Sequence, residues 1–568
     1  MNQNDVQENL SAGLDSNVDL VFAPLGGLGE IGMNAALYGF GPKGRRKWLM
    51  VDLGVAFAGP ELPGIDLIMP DLSFIEKNRK DLVGLIITHA HEDHIGAVAQ
   101  LWPRLGCPVY ATQFAASLLE VRRLGEEGAP KIPLHVMRAG QRLNLSPFEV
   151  EIVPVAHSIP ESTSLAIRTP LGLVLHSGDW KIDETPVAGW ATDEKRLREL
   201  GQEGVLALVS DSTNILRDGE SPSETDVANN LAELIASATG RVLVTTFASN
   251  VARMRAVALA AAQAGRHVVI AGRAMDRVSE VARECGYLEG IADFLPAESF
   301  ANLPRNKVVI MATGSQGETR AAMARIAQDE HPQVRLASGD KVIFSSRPIP
   351  GNERAISDII NGLVRQGIEV VTDRTHLVHV SGHPRRSEVK RLYEWVKPQI
   401  SVPAHGEALH LAEHAIFAKA QGVTHTVVAS DGDMVHLAPG NPGIIDQVPH
   451  GRIYTDGNIL VPSADEALRQ RRSLSFGGII SVGIAITSKG EIAGDPDVVI
   501  AGIPQRLRDG RTMDAIVDKV VFEVLDTLPR ARRRDANAVE TAVERAVRSA
   551  VRNAWGKRPT VHVLVMEV

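Results

Sequence analysis

Cysteine is almost absent from the chain, with only Cys107 and Cys285 among 568 residues. Two cysteines exclude a disulfide scaffold and a zinc cluster held by thiolates, and they fit a reducing compartment. Long apolar runs are also missing, since none approaches the ~20 residues that span a bilayer. The polar, acidic stretch from Met1 to Asn17 lacks the basic and apolar regions of a signal peptide. We therefore expect a soluble, cytoplasmic protein that has no membrane partner.

The sequence also lacks an excess of basic residues, because its formal net charge is −8. Taken alone, this charge argues weakly against nucleic-acid binding, which commonly uses a basic surface. It does not exclude RNA or DNA, since a channel can be locally positive while the exterior is acidic. Bound divalent metals would also add positive charge where a phosphate must lie.

A chain of this length is too long for one hydrophobic core and predicts two or three domains. Its first part contains strand-like runs divided by glycine and proline turns, which indicates layered sheets. These runs include Trp48–Val51, Leu82–Thr88, Glu149–Val155 and Gly172–His176. From about Ser221 short strands alternate with amphipathic helices, a pattern typical of βαβ units with a parallel sheet.

The last part of the chain has a composition of its own. A glycine- and proline-rich passage from Asp431 to Pro462 is interpreted as an inter-domain connection. Beyond it, strand-like and helix-like segments predict a compact α/β module of about 100 residues that ends on the strand Val561–Val568.

Four residues with metal-binding side chains lie within six positions, in the pattern His89-x-His91-x-Asp93-His94. They follow directly on the apolar strand Leu82–Thr88, so they form a turn at a carboxyl end, where function concentrates in open sheets. Imidazole and carboxylate are the ligand types expected for zinc or manganese. The alternative is a histidine-rich capping loop, which four such residues in six positions disfavour. Two neighbouring metals need about six or seven ligands, so this turn cannot supply the whole site.

Further candidates occupy similar strand ends downstream: His157, Asp179 and His405. Their order and spacing resemble the metallo-β-lactamase superfamily. The resemblance implies that His89, His91 and His157 hold one metal, that Asp93, His94 and His405 hold the other, and that Asp179 bridges the two. It also implies that Asp52, after the strand Leu49–Val51, supports a ligand without binding metal itself.

The glycines Gly27, Gly29 and Gly32 imitate a dinucleotide-binding fingerprint, with Asp52 twenty residues beyond the last of them. The segment after Gly32 is strand-like, whereas that fingerprint requires a helix whose N-terminus receives the pyrophosphate. A turn between the two strands of a hairpin is therefore the preferred interpretation.

Several motifs narrow the resemblance to the β-CASP nucleases and, within them, to the bacterial ribonuclease J family. The motifs are Pro24–Gly32, Ser210–Asn214, Thr246–Asn250, Thr313–Glu318 and His379–His383. The implied fold is a metallo-β-lactamase αββα sandwich with an inserted β-CASP α/β domain and a small C-terminal α/β domain. The expected boundaries are a disordered tail (1–17), the sandwich in two parts (18–220 and 376–445), the insert (221–375), a linker (446–465) and the C-terminal domain (466–568).

The resemblance also implies the roles of individual residues. Asp211, His383 and His405 correspond to motifs of the insert, with Asp211 in a supporting position, and a histidine at the last position is associated with members that act on RNA. The residues expected to contact RNA are Ser249, Asn250, His379, Ser381, Gly382 and His383. Helix capping and turns need the same serine and glycine residues, so a purely structural role is the alternative for those positions. Ala252 stands where the family commonly has histidine, which leaves one RNA contact in doubt.

The resulting hypothesis is a zinc-dependent ribonuclease with two Zn²⁺ per subunit, Mn²⁺ or Mg²⁺ being alternatives. Zinc would lower the pKa of a bound water towards ~7, with Asp179, Asp93 and His383 as catalytic residues. The family resemblance implies 5′→3′ exonuclease activity that prefers a 5′-monophosphate, together with endonuclease activity, in RNA maturation and mRNA decay. It also implies a homodimer or homotetramer, through the C-terminal domain, and membership of an RNA-degrading complex. Three alternatives stay open: a DNA-acting β-CASP nuclease, a small-molecule hydrolase and a non-catalytic scaffold.

Overall fold

A computed structural model describes residues 17–125, 129–349 and 351–568. The expected disordered tail, 1–17, lies outside the described residues except for Asn17. The chain divides into two compact units. The first unit is Met1–Ala56 with Met69–Gly451, and the second is Phe57–Ile68 with Arg452–Val568.

The chain begins with strands and short helices. The strands are β1 (Val18–Gly26), β2 (Leu28–Gly29), β3 (Ala35–Pro42), β4 (Lys47–Val51), β5 (Ala56–Phe57), β6 (Leu67–Pro70), β7 (Leu82–Ile86), β8 (Val109–Ala111) and β9 (Leu134–Val136). The helices are α1 (Ser73–Lys77), α2 (Glu92–Ile95), α3 (Val98–Leu105) and α4 (Gln113–Gly125). Strands β1 and β3 pair antiparallel from Val18↔Pro42 to Gly26↔Ala35, so the glycine-rich segment joins hairpin strands, as predicted.

Five strands and one helix follow before the insert. They are β10 (Arg142–Leu145), β11 (Phe148–Pro154), β12 (Thr163–Thr169), β13 (Gly172–His176), α5 (Glu194–Glu203) and β14 (Val205–Asp211). From β10 to β13 each strand pairs antiparallel with the next one in the chain. Strands β13 and β14, which α5 connects, pair parallel. The carboxyl ends of β13 and β14 therefore lie at the same edge of the sheet.

The insert has the alternating helices and strands that the sequence predicts. Its elements are α6 (Glu224–Ala236), β15 (Val242–Thr245), α7 (Val251–Gln263), β16 (His267–Ala271), α8 (Arg273–Glu284), β17 (Val308–Ala312), α9 (Ala322–Ala327), β18 (Lys341–Phe344), α10 (Glu353–Arg365) and β19 (Glu369–Val371). The strands form a parallel sheet in the order β16-β17-β15-β18-β19. Every residue of β15, β17 and β18 is buried, as expected for parallel strands covered on both faces.

After the insert the chain returns to the first sheets. The elements are α11 (Arg386–Val396), β20 (Ile400–Ala404), β21 (Gly406–Glu407), α12 (Ala408–Ala420), β22 (His425–Thr426), β23 (Asp433–Ala438) and β24 (Gly443–Gln447). One sheet has the order β24-β23-β1-β3-β4-β7-β8-β9, and the other has the order β10-β11-β12-β13-β14-β20-β22. Residues of both sheets, among them Phe22, Tyr38, Ile152 and Val209, share one apolar cluster, so the two sheets pack face to face.

The second unit contains a small sheet and a helical layer. Its further elements are β25 (Arg452–Asp456), β26 (Ile459–Pro462), α13 (Glu466–Gly477), β27 (Ile479–Ile486), β28 (Asp497–Ala501), α14 (Met513–Thr527), α15 (Arg530–Arg533), α16 (Ala536–Trp555) and β29 (Thr560–Glu567). Strands β28-β27-β29 form a three-stranded sheet. Apolar residues of β27, α14 and α16 fill one cluster, which includes Ile484, Val517 and Val547.

One expectation needs correction here. The stretch 446–465, interpreted as a linker, contains β25 and β26, which pair antiparallel and belong to a four-stranded sheet with β5 and β6. Ile453 and Tyr454 are buried, and burial of such apolar side chains favours strands although glycine and proline flank them. Among the described residues, no helix is both long and apolar enough to span a bilayer.

Candidate metal centre

The predicted ligands lie where strands of the two facing sheets end. His89 follows β7, His157 follows β11, Asp179 follows β13 and His405 follows β20. Strands β13, β14 and β20 are parallel neighbours, so Asp179, Asp211 and His405 come to one edge. Carboxyl ends of parallel strands are the usual location of functional residues because loops there can present several side chains to one point.

One group of four side chains brings three histidines and one aspartate together. Single ligand atoms of His89, His91, His157 and Asp179 all lie within 4.8 Å of one another. His91 Nδ1 is 3.1 Å from His89 Nε2 and 3.0 Å from His157 Nε2. A tetrahedral metal with Zn–N bonds of about 2.0–2.1 Å would place its nitrogens about 3.3 Å apart. The three imidazoles therefore fit one such ion closely.

A second group shares Asp179 with the first. It contains Asp93, His94, Asp179 and His405, whose ligand atoms also lie within 4.8 Å of one another. Asp179 Oδ2 is 3.2 Å from His94 Nε2, and Asp93 Oδ2 is 3.2 Å from His405 Nε2. All seven predicted ligands thus belong to two groups that meet at Asp179.

A third group extends the cluster towards the insert. Asp211 and His383 join Asp179 and His405 within the same 4.8 Å limit. His383 Nδ1 donates a 2.8 Å hydrogen bond to Asp211 Oδ2, so Asp211 fixes the ring orientation and leaves Nε2 of His383 available.

Hydrogen bonds behind the cluster orient the histidines that point into it. His94 Nδ1 lies 2.7 Å from Asp52 Oδ2, and this carboxylate also accepts from the backbone N and hydroxyl of Thr88. His157 Nδ1 donates to the carbonyl oxygen of Gly382 over 2.7 Å. In metalloproteins such partners of the distal ring nitrogen set the tautomer and the direction of the ligand ring. Asp52 therefore has the contacts expected of a supporting residue.

The backbone at the cluster is constrained at several points. Asp52 and His405 have φ of 62° and 50°, a left-handed conformation that residues other than glycine seldom adopt. A Cβ at Gly54 would lie 1.7 Å from the carbonyl oxygen of Asp93, and one at Gly382 would lie 2.5 Å from His157 Cε1. Only glycine lets the chain pass these residues so closely.

The electrostatics divide the histidines into two sets. Burial holds the pKa of His89 and His157 well below its ordinary value and lowers the pKa of His91 to about 4. Burial also lowers the pKa of His94 and His405, but the neighbouring carboxylates, Asp179 foremost, together outweigh it and raise these pKa values well above 6.5. Neutral imidazoles and ionised carboxylates are the forms that bind metal. The donor set thus fits divalent cations, which would supply the positive charge that the buried carboxylates require.

The predicted RNA-binding residues have distinct positions. His379 is half-buried, and its buried Nδ1 has no hydrogen-bond partner among the described residues. Burial, followed by the charges of Arg253, Arg347 and Lys181, holds the pKa of His379 well below its ordinary value. Arg253, in the first turn of α7, donates to the carbonyl oxygen of Val378, so this turn and His379 are neighbours.

Other predicted contacts take part in local structure. Asn250 Oδ1 accepts from the backbone N of Arg253 and caps α7, while Ser249 lies partly exposed in the turn just before it. Ser381 Oγ accepts from Asn214 Nδ2 over 2.9 Å, and the carbonyl oxygen of Gly382 is engaged by His157.

Asn34 and Thr88 contact the cluster, although the sequence analysis did not single them out. Asn34 Nδ2 lies 3.1 Å from both Asp93 O and His94 Nε2, at the end of the glycine-rich segment that joins β1 to β3. Thr88 Oγ1 lies 3.0 Å from His89 Nδ1. Adjacency to His89 was the only signal for Thr88, whereas the contact of Asn34 depends on the packing of two distant segments.

Family models match four parts of the chain. Residues 34–210 match the metallo-beta-lactamase superfamily, and 239–363 match the ribonuclease J beta-CASP domain. Residues 367–428 match the Zn-dependent metallo-hydrolase RNA specificity domain, and 466–568 match the ribonuclease J C-terminal domain.

Similar curated proteins extend over almost the whole chain. A ribonuclease J of Sinorhizobium meliloti is 52% identical over 97% of this chain and 98% of its own length. A ribonuclease J of Thermus thermophilus is 32% identical over 93% of this chain and 96% of its own length. A solved structure of a protein of unknown function from Enterococcus faecalis V583 has a TM-score of 0.52 at 16% identity, covering 74% of this chain and 100% of that one, and supports the fold alone.

Proposed function

The chain belongs to the ribonuclease J family of metal-dependent ribonucleases. From this we propose that it removes nucleotides from RNA in the 5′→3′ direction, starting at a 5′-monophosphate, and that it also cleaves RNA internally. The observation that carries the proposal is the cluster around Asp179, in which nine histidine and aspartate residues converge beside the insert. The biological role we propose is RNA maturation and mRNA decay.

We propose two Zn²⁺ per subunit, held in the way that the two groups of side chains suggest. His89, His91 and His157 would hold one ion, Asp93, His94 and His405 would hold the other, and Asp179 would contact both. Imidazole-rich donor sets favour zinc, and Mn²⁺ or Mg²⁺ are the alternatives. When bound, such ions supply an acidified water and neutralise charge on the phosphate.

The residues of the chain itself would position and polarise the substrate. Burial lowers the pKa of His383, but the carboxylates of Asp211 and Asp179 outweigh it and raise this pKa above 6.5. A protonated His383, oriented by Asp211, can donate from Nε2 to a phosphate oxygen or to the leaving oxygen. Asp179 and Asp93 stay ionised because His405 and His94 hold their pKa values low against the effect of burial.

A pocket for a terminal phosphate would explain exonucleolytic cleavage. His379 offers an enclosed ring nitrogen, and Arg347 and Arg253 lie close enough to affect its pKa. We propose that Ser249, Asn250, Ser381 and Gly382 complete this pocket through hydroxyl, amide and backbone N–H groups, which bind phosphate oxygens well. A 5′-monophosphate held there would set the first linkage at the metal centre. Internal cleavage would occur when RNA enters without a terminus in the pocket.

Further parts of the proposal concern organisation. We propose the boundaries 18–220 and 376–445 for the sandwich domain, 221–375 for the insert and 466–568 for the C-terminal domain. We also propose that the protein is cytoplasmic, that it forms a homodimer or homotetramer through the C-terminal domain, and that it joins an RNA-degrading complex.

Cleavage of matched substrates by purified protein tests the proposal. RNAs with a 5′-monophosphate or a 5′-triphosphate, and a DNA of the same sequence, are incubated with the wild type and with Asp93→Ala and His94→Ala. The matched control is His267→Ala, which alters an exposed histidine. We expect preferred cleavage of monophosphorylated RNA, and loss of both activity and bound metal in the first two variants only. Activity that survives both substitutions would disprove the two-metal centre, equal rates on both RNA ends would disprove the pocket, and preferred cleavage of DNA would disprove the substrate.

A further inference from the structure

Two aromatic rings and a lysine meet on the second unit, where α13 and α16 both end. Lys557 Nζ lies 4.4 Å from the ring centroid of Phe476 and 5.1 Å from that of Trp555. The same ammonium donates to the carbonyl oxygen of Phe476, and Thr560 N donates to Gly478 O. These bonds fix the two chain segments side by side. We call Phe476, Trp555 and Lys557 the aromatic site.

Phe476 is the exposed member of the aromatic site, whereas Trp555 and Lys557 are half-buried. Phe476 is 68% exposed, and each backbone segment beside it is already tied down by hydrogen bonds. A phenylalanine in that environment loses the burial that normally stabilises it. A cation over its ring keeps the ring oriented, because the ammonium is attracted to the π face.

Both α13 and α16 carry arginines in the two helical turns that precede the aromatic site. On α13, Arg469 and Arg472 lie seven and four residues before Phe476. On α16, Arg548 and Arg552 lie seven and three residues before Trp555. Residues three, four and seven positions apart share one helix face, so each helix presents a basic row that ends on an aromatic ring.

Most of this charge is available to a ligand. Arg469 and Arg548 have exposed partners, Glu466 and Glu544, on their own helices. In the part of the chain that the structure describes, no ion pair engages the side chains of Arg472, Arg552 or Arg558, all of which are exposed. Lys557 adds a fourth cation beside the rings. The surface is thus locally positive on a chain whose net charge is −8.

We propose that this surface binds single-stranded RNA, with bases stacked on Phe476 and Trp555 and phosphates held by Arg472, Arg552, Arg558 and Lys557. Exposed rings between cations are the arrangement that recognises unpaired nucleotides, because every base has a π face and every linkage has a charge. Duplex RNA would offer phosphates but no free base face to the rings. The inference rests on RNA being the substrate and adds a second contact for it, on the second unit.

Binding of fluorescent RNA to the full chain tests the stacking. The probe is an unstructured RNA of about 30 nucleotides, long enough for several stacked bases, and a chelator prevents cleavage during anisotropy measurements. We expect Phe476→Ala to weaken binding about tenfold, since one stacked base contributes that much. The matched control is Phe522→Ala, which removes another exposed phenylalanine of the same unit. Equal affinities for these two variants would overturn the proposal.

The salt dependence of binding tests the charges. Each lost phosphate contact on a single strand lowers the slope of log affinity against log salt by about 0.7. Arg472→Gln with Arg552→Gln should therefore lower the slope by about 1.4, whereas Arg508→Gln, at an exposed site elsewhere in the unit, should leave it unchanged. Thermal unfolding of every variant separates lost contacts from lost folding. An unchanged slope in the double variant would contradict the assignment, as would a duplex competitor that displaces the probe as well as a single strand does.

Cleavage assays keep this inference distinct from the proposed activity. A very short RNA that fills only the metal centre should be cleaved equally by the wild type and by Phe476→Ala. A long RNA should show a raised KM with an unchanged kcat in the variant. Failure of the wild type to cleave either RNA would refute the activity and leave the binding result standing. A KM for the long RNA that Phe476→Ala does not change would refute the surface alone.

Discussion

Tyr287 donates a 2.7 Å hydrogen bond from its hydroxyl to Oε1 of Glu161, four residues after the predicted ligand His157. The other carboxylate oxygen of Glu161 accepts from the backbone N of Phe114, at the start of α4. Glu161 is buried, and its backbone has a φ of 63°, in the left-handed region that residues other than glycine seldom adopt. One side chain therefore ties the loop of the metal centre to α4 and to the insert.

Tyr287→Phe should weaken this tie without altering any predicted ligand. Loss of a hydrogen bond to a buried carboxylate should lower the free energy of unfolding by about 1–3 kcal/mol. We expect kcat/KM for RNA to fall about tenfold because the loop that carries His157 is less well positioned. Denaturant unfolding and steady-state cleavage measure the two effects. Tyr110→Phe is the control, and equal kinetics in the two variants would show that Glu161 does not need Tyr287.

Gly382→Ala should disturb the centre through His157. The added Cβ would lie 2.5 Å from Cε1 and 2.6 Å from Nδ1 of that ring, so the ring or the backbone must move. The movement would also lengthen the bond from Nδ1 to the carbonyl oxygen of Gly382. Because partners of the distal nitrogen commonly contribute 10–100-fold to metal affinity, we expect a loss of that order. Metal titration measures it, and Gly443→Ala, where the new methyl meets nothing, should bind as the wild type does.

His379→Ala should reduce the preference for a 5′-monophosphate and spare internal cleavage. The ring has a buried Nδ1 without a partner among the described residues, so its removal leaves a cavity where a phosphate would bind. We expect the ratio of rates on monophosphorylated and triphosphorylated RNA to fall about tenfold, which corresponds to about 1.4 kcal/mol for a lost charge-assisted hydrogen bond. Competition between the two RNAs in one reaction measures the ratio. His376→Ala alters an exposed histidine nearby, and a ratio that falls equally there would point away from His379.

His414→Gln should change how the stability depends on pH. Burial lowers the pKa of His414 to about 4, and its ring lies between Ser212 Oγ and Tyr393 OH. The unfolded chain would protonate this histidine near pH 6.5, before the folded chain does, so its contribution falls as the pH is lowered from about 6.5 to 4. A difference of this size between the folded and unfolded pKa values corresponds to about 3 kcal/mol of unfolding free energy.

Urea unfolding at several pH values measures that contribution. We expect the loss of stability between pH 6.5 and 4, the two values given above for His414, to be smaller in His414→Gln than in the wild type. The exposed His425 provides the control, because His425→Gln should keep the wild-type pH dependence. Identical profiles for the wild type and His414→Gln would mean that this histidine is not held neutral.

Sequence periodicity predicted most strands and helices well because the apolar residues that recur at the strand or helix period are also the residues that the fold buries. Gly172–His176 was predicted with the bounds that the structure has, and the predicted Trp48–Val51 lacks only the first residue of the strand Lys47–Val51. The prediction failed at 446–465, where flanking glycines and prolines suggested a connection and the buried Ile453 and Tyr454 form a strand instead. Local composition indicates the backbone preference of a segment. Whether the segment is buried as a strand depends on a partner strand formed by residues distant in the sequence.

The sequence by itself determined the ligand types, their order and their positions at strand ends, because ligand chemistry and strand period are local properties. The resemblance to a family then gave each residue an expected role. Only the tertiary structure decided that Gly382 must lack a side chain beside His157, that Asn34 reaches Asp93, and that Tyr287 holds Glu161. Each of these contacts joins segments far apart in the chain, and their proximity depends on how the two sheets and the insert pack.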